Sequence, residues 1–205
     1  MPTTPRRAKN WGPLVAEPQL QPPGAGVPKL EELFLRYVFT PVMQKWLSWD
    51  ESHKAFLAET DEIISVYQHM KPEDHDKRVL IPRLTGLEDS SRYWSANMVL
   101  EHVMLVTKGI VNIIETLGDE KIMSGKVSTA AVKPKGGHDE DMMPAFWEAM
   151  HQAADRVGED FQKRASQTTH DHPWFGPLNT HGWHTVLAIH QGVHRRQIEK
   201  IAARL

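Results

Sequence analysis

The chain has 205 residues, no cysteine, and 24 Lys+Arg against 26 Asp+Glu, for a formal net charge of −2. Those counts exclude disulfides, thiolate metal sites and a cysteine nucleophile, and they lack the basic excess that marks a nucleic-acid-binding surface. Hydrophobic residues make up 40% and charged residues 24%, and no apolar run approaches the ~20 residues that span a bilayer, so one cytoplasmic globular domain with no membrane segment is expected.

Residues 1–27 form a Pro-rich arm. Seven of the 14 prolines fall within the first 28 positions, which predicts an extended or irregular path. Trp11, Leu14, Val15 and Leu20 give the arm apolar groups with which to dock on this chain or on a partner. Arg6, Arg7 and Lys9 precede no apolar stretch, so no secretory leader is expected. Residues 28–205 are expected to form one helical domain.

Within that domain, residues 29–47 place Leu30, Leu33, Phe34, Tyr37, Val38 and Val42 at helical spacing, with Pro41 kinking or dividing the helix. Residues 51–70 form a second helix with Phe56, Ile63, Ile64, Tyr67 and Met70 on one side, and Pro72 stops it. Residues 71–93 read as a long loop. The clearest helix covers 95–117, with Met98, His102, Leu105, Val106, Ile110, Ile113 and Leu117 on its stripe and Gly118 at its end. After a Gly-rich loop, acidic Asp139, Glu140 and Asp141 open a helix with the stripe Met143, Phe146, Trp147, Met150, Ala154, Val157 and Phe161. Residues 168–178 form a loop, and Asn179 caps a last helix to about Leu205. No strand alternation is evident. The pattern predicts an all-α four-helix bundle with long connections and an added N-terminal helical segment.

Twelve histidines are the compositional outlier. His190 and His194 are one helical turn apart, so both rings share a face. Spacing alone decides little, because about 0.7 such pairs are expected by chance among this many histidines. Position says more. Both interrupt the apolar stripe of the last helix, and His102 interrupts that of the 95–117 helix. Buried imidazoles need partners, and the stripes offer no matching carboxylate, so the three can satisfy one another through a cation. The alternative is three core histidines, each with its own hydrogen bonds. His170 and His172 lie in a loop and can chelate, although His172-Pro173 reads as a turn before the last helix. His138 reads as part of a solvated helix start, and His53, His69, His75, His151 and His181 as exposed. Trp147 and Trp183 read as core, and Arg195 and Arg196 as facing solvent.

Two stretches carry a family resemblance. The first is Trp94-Ser95 leading into M-V-L-E-H with His102. The second is H-P-W-F-G-P-L-N-T-H-G-W followed by H-Q-G-V-H-R-R-Q-I, within residues 172–198. From about residue 51 onward the chain resembles the DinB-like metal-binding bundles. The resemblance implies one divalent metal ion (zinc, nickel or iron) on His102, His190 and His194, with Gln197 matching a Gln frequent after the second His of the pair. Asn179 and Gly182 stand where the family often has Thr and Glu, so that reciprocal capping box is lost. The resemblance also implies a metal-dependent transferase that acts on a small-molecule substrate with a low-molecular-weight thiol. A metal-dependent hydrolase and a non-enzymatic, metal-stapled stress or binding protein are the alternatives. The Pro-rich arm and the added segment at 29–47 are expected to cover the body or a symmetry mate, with a C2 homodimer as the expected oligomer.

Overall fold

The computed structural model describes residues 17–138, 141–158 and 160–205. It is mostly helical. The elements in order are α1 (Lys29–Phe34), a π turn (Leu35–Phe39), α2 (Thr40–Trp46), α3 (Trp49–His69), β1 (Val79–Leu80), β2 (Tyr93–Trp94), α4 (Ala96–Gly118), α5 (Met143–Arg156), β3 (His170–His172), β4 (Gly176–Leu178) and α6 (Thr180–Ala202). Helices α3–α6 make the four-helix bundle, with α6 packed on both α3 and α4 and α5 closing against α4. Phe56, Ile63, Leu100, Ile114, Leu117, Phe146, Leu187 and Ile198 are buried between them.

Local chemistry sets the helix ends. Ser48 and Glu51 form a reciprocal capping box at the start of α3. Ser95 caps α4 through the Met98 N–H, and Asn179, the cap expected from the sequence, holds α6 through the Gly182 N–H. Helix α4 is long and apolar enough to match a membrane span, but it is a bundle helix with 13 buried residues.

Several expectations are corrected. Pro41 does interrupt the N-terminal helix as expected, but through a π segment between α1 and α2 rather than a break. Its ring would collide with the carbonyl one turn back, and the chain absorbs this by widening into the π turn, where the Thr40 hydroxyl donates to Leu35 O at 2.7 Å. The apolar stripe of that segment also faces outward: Leu35, Thr40 and Met43 are buried, while Leu30, Tyr37 and Trp46 are 83%, 68% and 72% exposed. Trp147 is half-exposed and stacks on His151. Helix α5 ends at Arg156, so Val157 and Phe161 reach the core from the following loop. Two short antiparallel pairs, β1 with β2 and β3 with β4, occupy segments expected to be loops. They are too short to show alternation.

The Pro-rich arm docks on this chain over its described part. Gln21 N donates to Asp89, Gly24 N and Gly26 N donate to Glu88, and Val27 is buried. Leu20 is half-buried, and Trp11, Leu14 and Val15 lie outside the described residues, as do Asp139 and Glu140.

Candidate metal centre

Helix α4 supplies His102 and helix α6 supplies His190 and His194. One donor nitrogen from each lies within 4.8 Å of the others. The Nε2 atoms of His102 and His190 are 3.2 Å apart. Nitrogens at two corners of a tetrahedral ion with bonds of ~2.0–2.1 Å would be separated by about 3.3 Å. The donor set therefore fits a divalent cation after small ring adjustments.

Neighbouring groups fix the protons on two of the rings. His102 Nδ1–H donates to Val132 O at 2.7 Å, and His194 Nδ1–H donates to Gln197 Oε1 at 2.6 Å. Gln197 is itself oriented, because its Nε2 donates to Ser91 O at 2.8 Å. Both histidines thus present a bare Nε2 to the centre, as a cation requires. His190 Nδ1 is buried without a hydrogen-bond partner among the described residues, so this ring lacks an orienting acceptor on its outer nitrogen, and without a cation its Nε2–H donates to the bare His102 Nε2. Burial pushes His102 down to about 4. Burial and the facing imidazoles hold His190 and His194 well below the ordinary histidine value. All three are neutral at pH 7, which leaves lone pairs free for ligation.

Trp94 packs on the centre, with ring centroids 5.0 Å from His102 and 6.2 Å from His194, parallel to the latter. Lys133 Nζ lies 5.0 Å over the Trp94 ring, 2.6 Å from Ser91 Oγ and 3.1 Å from Glu88. Burial alone would raise Glu88, but the Thr129 hydroxyl and Lys133 outweigh it and hold the carboxylate below its usual range. Glu88, Ser91 and Lys133 come from loops without periodicity, so no sequence signal identified them. Glu101 turns away from the centre, as helical geometry demands, and accepts from Lys135 N, Gly136 N and His138. His138 is therefore bonded rather than solvated.

The triad opens on an apolar cavity of about 150 Å³, walled in part by Leu87, Ile110, Val186 and Trp183, with Glu88, Lys133 and His172 also lining it. A second cavity of about 440 Å³ lies between the N-terminal helical segment and α6 and shares His172, Trp174, Val186 and His190 with the first. Arg195 lines this second cavity and pairs with Glu59 and Glu199 instead of facing solvent.

The remaining histidines are not part of the triad. His170 and His172 sit on β3. His69 and His151 are exposed as expected, while His75 and His181 are half-buried. His53, expected to be exposed, is 7% exposed beside His184, whose ring stacks on Trp49 at 3.9 Å. His53 lies on the inner face of α3 between Ser52 and Phe56, a position the apolar-stripe reading passed over because the residue is polar.

The chain matches no family model, and no curated protein matches it. A solved structure described as TT2238, a four-helix bundle protein, matches with a TM-score of 0.50 and 21% identity, covering 74% of this chain and 98% of that one. This shows a four-helix bundle fold. The DinB-like resemblance rests on the motifs alone.

Proposed function

We propose that the protein is a DinB-like, divalent-cation-binding bundle that acts as a metal-dependent transferase with a low-molecular-weight thiol. The observation that carries this reading is the convergence of three neutral imidazoles, two with Nε2 bared by Nδ1–H hydrogen bonds, at the end of an apolar cavity. His102, His190 and His194 would hold the cation, and a cation with open positions supplies stabilisation of a thiolate at neutral pH. Nitrogen donors with a sulfur ligand suit zinc, nickel or iron. Gln197 and Val132 O orient two rings, and Trp94 shields them from bulk water.

The cavity supports an enzyme over a metal staple, since a purely structural cation is enclosed by its ligands. A hydrolase needs a carboxylate free to act as base. Glu88, the carboxylate on the cavity wall, is committed to Gly24 N, Gly26 N, Thr129 and Lys133. This favours transfer to a thiol. The test is metal analysis of protein purified without an affinity tag, followed by a thiol-transfer screen. One equivalent of a divalent metal and transfer that chelator abolishes are expected. Protein that takes up no zinc, nickel or iron overturns the reading.

A further inference from the structure

The turn that carries His172 fixes its proton. Gly176, at φ +78, lets the chain reverse so that His172 pairs with Gly176 across the β3–β4 hairpin. In that turn Trp174 N–H and Phe175 N–H both donate to His172 Nδ1, at 3.1 and 3.3 Å. An imidazole nitrogen that accepts carries no proton, so the neutral ring keeps its hydrogen on Nε2. That N–H has no hydrogen-bond partner among the described residues, and the ring lines both cavities where they meet beside His190. An unanswered donor on a cavity wall favours a ligand that brings an acceptor. Near it, the Arg36 guanidinium donates through Nη2 to Pro173 O, while its Nε is buried without a partner among the described residues. The field at His172 therefore favours electron-rich oxygen. Away from the triad and the mutually paired Glu88 and Lys133, the first cavity is walled mainly by apolar groups, and about 150 Å³ is the size of an apolar cavity that takes a benzene ring.

We propose that the two cavities form one ligand chamber in which His172 Nε2–H is a fixed donor to a carbonyl or carboxylate oxygen of a small molecule with a ring-sized apolar body. The residue contacts the ligand and is distinct from the cation ligands. The proposal names the chemical class of the second substrate, and it rests on the transferase reading only for the chamber's part in a reaction.

The test uses the full chain, both chelator-treated and zinc-loaded. Histidine ¹⁵N spectra at pH 7 are expected to show His172 with a protonated Nε2 and a bare Nδ1, and the opposite tautomer overturns the proposal. Acetophenone and α-methylstyrene differ in replacing the carbonyl oxygen by a methylene group. In His172→Phe the affinity for acetophenone should fall about ten-fold, the value of one hydrogen bond, while that for α-methylstyrene holds. Equal loss of both probes, or loss of neither, overturns the proposal. In His172→Asn the side-chain oxygen can still accept from the turn while the far donor is gone, so the same selective loss is expected with the loop intact. An unchanged acetophenone affinity in a folded His172→Asn also overturns it. Benzoate supplies the anionic arm, and failure of both benzoate and acetophenone to bind the parent overturns the proposal. His172-dependent acetophenone binding in a chain that takes up no zinc would support this inference and sink the transferase reading. Zinc binding with both probes indifferent to His172 would do the reverse.

Discussion

At the triad, the ring that lacks an orienting acceptor on its outer nitrogen is the most informative one to remove. His190→Ala deletes one of three nitrogens and leaves His102 and His194 in their hydrogen bonds. A cation that binds only the folded chain stabilises it by about 2.7 kcal/mol at one hundred times Kd. Chelator should therefore lower the Tm of the parent and leave that of His190→Ala almost unmoved. His170→Ala also removes an imidazole, but from β3 outside the triad, and should keep the full chelator effect. An equal chelator shift in the His190 variant and the parent would place the ligands elsewhere. The same rings predict an acid response. Burial holds His102 at about 4 and His172 and His184 at about 3, against an ordinary value of 6.5, with His190 and His194 also well below it. As pH falls below about 6.5, the unfolded chain takes up protons that the folded chain refuses, so stability falls with pH from there down to the folded values. Each such proton is worth about 1.4 kcal/mol per pH unit. Denaturant midpoints of chelator-treated protein should be level above about pH 7 and drop steeply between about 6.5 and 4.5, before the lowered carboxylates Glu88 and Glu101 begin to protonate. A level midpoint through that window would mean that the histidines are not buried neutral.

Helix α6 carries two of the three ligands, and its start is held by the Asn179 side chain on Gly182 N. Asn179→Ala should cost about 1 kcal/mol in denaturant unfolding and leave zinc stoichiometry unchanged, because the ligands lie three turns further on. Unchanged stability would mean that the helix start is held by other contacts. Much of this element was legible in the sequence. The cap follows from the chemistry of Asn179, and the inward stripe with its two histidines from a 3.6-residue period that core packing enforces. The loops around the triad were not legible, since Glu88, Ser91, Lys133 and His172 are placed by turns and ion pairs that leave no periodic trace. The N-terminal helix failed differently. Its apolar residues have the right spacing, but period alone does not say whether a stripe meets this chain or another surface. Here Leu35 and Met43 took the inward positions.

For the molecule as a whole, that outward stripe is the largest departure from a self-contained bundle. Leu30, Leu33, Phe34, Tyr37, Val38, Val42 and Trp46 are each at least half exposed along one helical segment. Isolated chains rarely leave a contiguous apolar patch beyond a few hundred Å² uncovered. A two-fold axis would lay the segment against its own copy, and both signs of charge lie along it, exposed Lys29 and Lys45 with Glu32, as a self-complementary surface requires. We propose that a homodimer, if formed as the sequence leads one to expect, uses this stripe. The arm's Gly24 and Gly26 N–H groups hold Glu88 in the cavity wall, so cutting the arm away would disturb the chamber along with any interface. Point changes on the stripe separate the two effects. Light scattering of the full chain should give twice the 23.4 kDa chain mass, and Tyr37→Glu combined with Val38→Glu should return it to one. Both side chains point away from the bundle, so the variant's unfolding midpoint measured at low concentration should match that of the parent. A parent of single-chain mass, or a variant that keeps the doubled mass, would remove the dimer from this face.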